Sequence, residues 1–104
     1  MGNIIIIKQE LIQTGNASFT VKMTSEIEGN AVIRDFKYSD CNGIYPLYNS
    51  LINSIREMEN VHIDLETSDK RFASEVNGNP NKNARMLEIL KNIQERQNIT
   101  IDAY

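Results

Sequence analysis

The sequence predicts an α/β (α+β) chain: a five-stranded mixed sheet in the order β-β-β-α-β-α-α-β, with helices mainly on one face. Three observations predict it. A β-branched run, Ile4-Ile5-Ile6-Ile7, opens the chain. Apolar and polar residues alternate in several later segments, as in strands with one dry face. Two further stretches repeat apolar residues at three- and four-residue spacing, the period of an amphipathic helix. With 104 residues, 40% of them hydrophobic, the chain has room for one domain, residues 1–104, and for a core that needs no disulfide or metal.

The elements follow in order. Ile4–Ile7 is apolar on both sides and reads as a central strand. Thr14-Gly15-Asn16 is a turn. Ala17, Phe19, Val21 and Met23 then alternate with Ser18, Thr20, Lys22 and Thr24, giving a second strand. Glu28-Gly29-Asn30 makes a hairpin turn into a third strand, Ala31–Tyr38, whose weaker pattern assigns it to an edge. Beyond the break at Ser39–Gly43, Ile44, Leu47, Tyr48, Leu51, Ile52, Ile55 and Met58 form the strongest helical stripe, from Ile44 to about Glu57. Pro46 is tolerated there because it falls in the first turn, where its missing N–H has no partner to lose.

Val61, Ile63 and Leu65 alternate with His62, Asp64 and Glu66 in a fourth strand. Thr67 or Ser68 is placed to cap a short helix that buries Phe72, Ala73 and Val76 and stops at Asn77-Gly78. After a loop at 79–83, a second long helix, from about Lys82 to Gln94, turns Met86, Ile89, Leu90 and Ile93 inward. Ile99, Ile101 and Ala103 mark the last strand. Helices between the later strands require crossovers, so the sheet is mixed, and the two long helices are expected on the same face.

Composition narrows the function. A net charge of -3 and a pI near 5.1 argue against nucleic acid as a partner, since such proteins commonly carry a basic excess. The single cysteine, Cys41, excludes an intrachain disulfide and a cysteine zinc cluster. A nucleophilic thiol needs a base, and the only histidine, His62, has no evident relation to it. No Gly-rich phosphate loop, Gly-x-Ser-x-Gly elbow or His-Glu-x-x-His pair is present, and no cofactor is implied. The Ile4–Ile7 run is too short for a leader core or a membrane span, and position 6 lacks the Ser or Thr of a myristoylation signal. A cytoplasmic location without membrane attachment is the expectation. His62, Asp64 and Glu66 share one strand face and are the candidate metal ligands, against the plainer reading of a solvated face. Asp64 and Glu66 are also the candidate acid–base pair. Lys70, Arg71, Arg85, Lys91 and Arg96 read as helix-surface charges.

Two local motifs add to this. Cys41-Asn42-Gly43-Ile44-Tyr45-Pro46-Leu47 opens the first long helix, and Leu65-Glu66-Thr67-Ser68-Asp69-Lys70 leads through Phe72 and Val76 to Asn77-Gly78. With the element order, they resemble the type 1 ribonuclease H-like family. There a Thr-Asn-Asn-x-x-Glu-Leu segment opens the corresponding helix, and a Thr-Asp-Ser motif ends the fourth strand. The resemblance implies carboxylates converging on two divalent cations that activate a water. In this sequence the helix carboxylate falls on Pro46. The strand-four Asp falls on Ser68, or with a one-residue shift on Thr67 or Asp69, and the first-strand Asp falls near Lys8. No catalytic residue survives on this mapping. The expected role is a non-catalytic protein-binding or regulatory module, such as a phage or mobile-element inhibitor. The alternatives are a divergent metal-dependent nuclease using Glu10, Asp64, Glu66 or Asp69, and a non-cleaving nucleic-acid binder.

Helices that cover one face leave the other open. That open face takes Ser18, Thr20, Lys22, His62, Asp64 and Glu66, and either Ile4 with Ile6 or Ile5 with Ile7. The candidate binding surface is Ile5, Ile7, Phe36, Tyr38 and Tyr104, covered by a protein partner or by a second copy of the chain.

Overall fold

A computed structural model describes residues 3–78 and 84–104. The expected loop at 79–83, the expected helix start at Lys82 and the Gly2 position lie outside the described residues. Five strands, β1 (Asn3–Gln13), β2 (Phe19–Ile27), β3 (Asn30–Tyr38), β4 (Val61–Thr67) and β5 (Ile99–Ala103), form one sheet in the order β3-β2-β1-β4-β5. The first three make an antiparallel meander, and β4 runs parallel to both β1 and β5. The helices are α1 (Ile44–Ile55), α2 (Lys70–Val76) and α3 (Ala84–Gln97). The mixed sheet, the edge position of β3 and the central position of β1 all match the expectation.

One hydrophobic core joins the sheet to all three helices. Ile5 and Ile7 of β1, Val21 and Met23 of β2, Ile63 and Leu65 of β4, and Ile99 and Ile101 of β5 meet Leu47, Leu51 and Ile55 of α1, Phe72 and Val76 of α2, and Leu90 and Ile93 of α3. Both long helices therefore pack on the same sheet face, as expected. Gln9 continues the inward side of β1 as a buried polar residue; its Nε2 donates to Leu47 O at 2.9 Å and Ser50 Oγ at 3.2 Å, fastening β1 to α1.

This one-sided arrangement corrects the proposed binding surface. Ile5 and Ile7 are 3% and 0% exposed, while Ile4, on the opposite side of the pleat, is 62% exposed. The central strand is thus buried on one face only. Phe36 and Tyr38 stand opposite Val21 and Phe19 across the β2–β3 ladder, so they face the helices, and the Tyr38 hydroxyl donates to Asn49 Oδ1 at 2.9 Å. Of the five residues, only Tyr104 lies on the open side, 52% exposed.

Local chemistry explains the element ends. Glu28 (φ 50°) and Gly29 (φ 84°) both adopt left-handed backbone, the geometry of a two-residue hairpin turn. Asn42 Oδ1 accepts from the N–H groups of Ile44 and Tyr45 and so starts α1. The cap of α2 is Asp69, not Thr67 or Ser68: its Oδ1 accepts from the N–H groups of Arg71 and Phe72. α3 runs three residues past the expected Gln94 because Gln97 has work to do there. Its Nε2 donates to the carbonyls of Ile55 (2.9 Å), Arg56 (3.0 Å) and Met58, closing the end of α1. Among the described residues no helix is long and apolar enough to cross a membrane.

Candidate functional site

β1 and β4 run side by side and in the same direction, with Gln9 paired to Thr67. Just past that pair the chains remain joined: Ser68 N–H donates to Gln9 O (3.2 Å), and Ser68 Oγ accepts from Leu11 N–H (3.3 Å). Glu10 is therefore the β1 residue beside Ser68. On the open face at this end lies a shallow cavity of about 530 Å³. Lys8 and Glu10 come from β1, Lys22 and Thr24 from β2, Glu66 from β4, and Ser68, Lys70 and Tyr104 close the rim. The pleat explains the set, because alternate residues of each strand share the face. Three lysines meet two glutamates. Lys8 Nζ lies 3.7 Å from Glu66 Oε2 with both groups well exposed, a pairing of small net strength, and Lys22 stands directly across the ladder from Glu10. Lys70, read from sequence as a plain surface charge, belongs to this basin.

The candidate metal ligands are brought together only in part. His62 Nε2 lies 3.2 Å from Asp64 Oδ1 and 3.6 Å from Asp102 Oδ2, and one donor atom from each of the three residues lies within 4.8 Å of the others. Glu66 turns instead to Lys8. Asp102 takes its place because the parallel β4–β5 register sets Asp64 opposite Asp102. That contact is cross-strand, so alternation within the fourth strand could not reveal it. Of the other acids considered, Asp69 is committed to the α2 cap, and Asp64 and Glu66 face different partners rather than each other.

No family model matches the chain, and no curated protein matches it by sequence. Solved structures do match. A crystal structure of LC11-RNase H1 in complex with an RNA/DNA hybrid superposes with a TM-score of 0.74 over 96% of this chain and 84% of that one, at 12% identity. RNase H1 from the halophilic archaeon Halobacterium salinarum NRC-1 gives 0.74 over 97% and 85%, also at 12% identity. This chain has the ribonuclease H fold. A foamy viral protease-reverse transcriptase in complex with dsDNA matches more loosely, with a TM-score of 0.61 over 99% of this chain and 81% of that one, at 11% identity.

These neighbours overturn the expectation that argued against nucleic acid as a partner. Proteins of the ribonuclease H fold are solved on an RNA/DNA hybrid and on dsDNA, which conflicts with that expectation. The open face itself also lacks the expected apolar patch. Ile4, Ile12 and Ile33 are exposed there, but Lys8, Glu10, Lys22 and Thr24 intervene.

The positions onto which the resemblance maps its carboxylates do not supply that two-cation chemistry, although Glu10 and Glu66 stand in the same basin. Pro46 is buried and has no donor atom to offer. Ser68 presents a neutral hydroxyl already engaged by Leu11 N–H. Thr67 is buried, and its Oγ1 accepts from Asp69 N–H at 3.5 Å. Lys8 brings positive charge to the same basin.

Proposed function

We propose that this chain is a non-cleaving nucleic-acid-binding domain that holds phosphates in the basin at the shared end of β1 and β4. The carrying observation is the make-up of that basin: Lys8, Lys22 and Lys70 line it together with Ser68, where the resemblance calls for a carboxylate. Lysine ammonium groups bind phosphate oxygens as point charges, and the Ser68 and Thr24 hydroxyls add neutral hydrogen bonds. Solved neighbours on an RNA/DNA hybrid and on dsDNA support the class of ligand. Contacts of this kind position a backbone and carry no base readout, so recognition is by shape and charge. With three lysines, log K against log salt has a slope of about −2 to −3. Glu10 and Glu66 in the same basin favour a second reading, a divergent metal-dependent hydrolase.

Fluorescence anisotropy with a labelled RNA/DNA hybrid at low salt tests both. Saturable binding is expected, weakened at least tenfold in the Lys8→Glu, Lys22→Glu, Lys70→Glu triple variant, with the hybrid intact after incubation in magnesium or manganese. An absence of binding at low salt, or a triple variant that binds like the wild type, refutes the proposal. Cleavage lost in Glu10→Gln or Glu66→Gln establishes the second reading instead.

A further inference from the structure

We infer that His62, Asp64 and Asp102 form a site for one divalent transition-metal ion, of the zinc class, on the open face where β4 meets the edge strand β5. Three independent features point there. The first is spacing. Metal–nitrogen and metal–oxygen bonds of about 2.0–2.1 Å in a tetrahedron separate neighbouring ligand atoms by about 3.3 Å. His62 Nε2 lies 3.2 Å from Asp64 Oδ1 and 3.6 Å from Asp102 Oδ2, and one donor from each of the three lies within 4.8 Å of the others. Asp102 is exposed, so a rotation of its side chain closes the remaining edge.

The second feature lies outside the donor set. His62 Nδ1 sits 2.6 Å from Thr100 Oγ1, its direct neighbour across the ladder. When Nδ1–H donates to that hydroxyl, the ring is fixed and the Nε2 lone pair faces the two carboxylates. Metal-bound histidines are oriented by a second-shell partner in this way. The third feature is a cost. Asp64 and Asp102 are directly opposed on adjacent strands, and like charges so placed destabilise a sheet. A divalent cation between them reverses the sign of that interaction.

One nitrogen and two carboxylate oxygens suit a borderline ion such as zinc or cobalt(II) better than a thiolate-seeking one. Three protein ligands on an open surface leave the fourth position to water, the pattern of an accessible rather than a closed site. Asp64 and Asp102 lie two residues, about 7 Å, before Glu66 and Tyr104 of the basin rim. The site borders the basin but shares none of its lining residues, and it does not rest on the nucleic-acid proposal.

Cobalt(II) titrated into chelator-treated, untagged protein tests this by its visible absorption, with zinc as competitor and circular dichroism to confirm folding of each variant. A saturable one-to-one spectrum that zinc displaces is expected. His62→Ala and Asp102→Asn should each weaken affinity more than tenfold, and Thr100→Val about tenfold or more. Zinc at a hundredfold excess over its Kd should raise the Tm of the wild type by about 12 °C and leave His62→Ala unmoved. An absence of saturable binding below millimolar metal overturns the inference, as does undiminished binding by His62→Ala or Asp102→Asn. The lysine triple variant should keep the cobalt spectrum, and His62→Ala should keep hybrid binding, so the two proposals fail separately.

Discussion

Tyr48 and Glu75 form a buried contact whose strength can be isolated with a single oxygen atom. The Tyr48 hydroxyl donates to Glu75 Oε1 at 2.7 Å, and both residues are buried between α1 and α2. The Tyr48 ring also meets Phe72 edge-on, with centroids 4.8 Å apart and planes at 88°. Tyr48→Phe keeps the ring and that contact and removes only the hydroxyl. A hydrogen bond to a charged group contributes about 1.5–3 kcal/mol. Arg71 Nε, 3.9 Å from Glu75 Oε2, stays in place and moderates the loss, so about 2 kcal/mol is expected. For a chain of this size that lowers Tm by about 10 °C.

The pH dependence gives a second reading of the same bond. Burial, then the hydrogen bond to Glu75 and its charge, raise the Tyr48 hydroxyl above its ordinary value of 10.0. A group whose folded pKa is raised contributes stability below its unfolded pKa and loses it as pH rises through the folded value. The wild type therefore loses this contribution above pH 10, and the phenylalanine variant has none to lose. Urea denaturation followed by circular dichroism should show a gap of about 2 kcal/mol at pH 7 that narrows steadily above about pH 10. A gap under about 0.5 kcal/mol, or one unchanged up to about pH 11.5, refutes the reasoning.

Three further outcomes are expected. Asp69→Ala removes the acceptor for two N–H groups at the start of α2 and should cost about 1 kcal/mol in chemical denaturation, whereas Ser68→Ala should cost less. Gln97→Ala opens three carbonyls at the end of α1 and should destabilise by more than about 1 kcal/mol, with faster amide exchange near Met58. Burial, with smaller contributions from Tyr45 and Cys41, pushes Tyr38 up to about 12 from 10.0, so Tyr38→Phe should flatten the wild type's stability loss between pH 10 and 12.

What the sequence disclosed depended on whether an element carried its own phase. The stripe from Ile44 to Ile55 repeats apolar residues against polar ones, so its inward side was visible, and α1 lies where the spacing puts it. Ile4–Ile7 has no such contrast. Four identical residues cannot say which pair points inward, and the next inward residue is polar Gln9, whose burial depends on Leu47 and Ser50 far along the chain. The phase of β3 is set by Val21↔Phe36 pairing, again a partner rather than a pattern. The same limit applies to the sites. His62 and Asp64 share a face by simple alternation, but Asp102 joins them only through the β4–β5 register. Lys22 and Lys70 reach the basin from two elements that sequence spacing does not relate.

The strand at the centre of the sheet is the first to be synthesised and among the last to be completed. β1 finds β2 across a short turn, but its other edge waits for β4, whose Val61 pairs with Asn3 only after α1 has been made. Pairings this distant in sequence form slowly. During that interval β1 presents a row of unpaired backbone groups beside four consecutive isoleucines, the kind of edge on which other chains add. Lys8 follows the run directly and stays exposed in the finished sheet. A charge at that point acts as a gatekeeper against edge-to-edge association of nascent chains. Replacing it with an apolar residue should therefore lower soluble yield during expression while leaving the equilibrium stability of the folded protein almost unchanged.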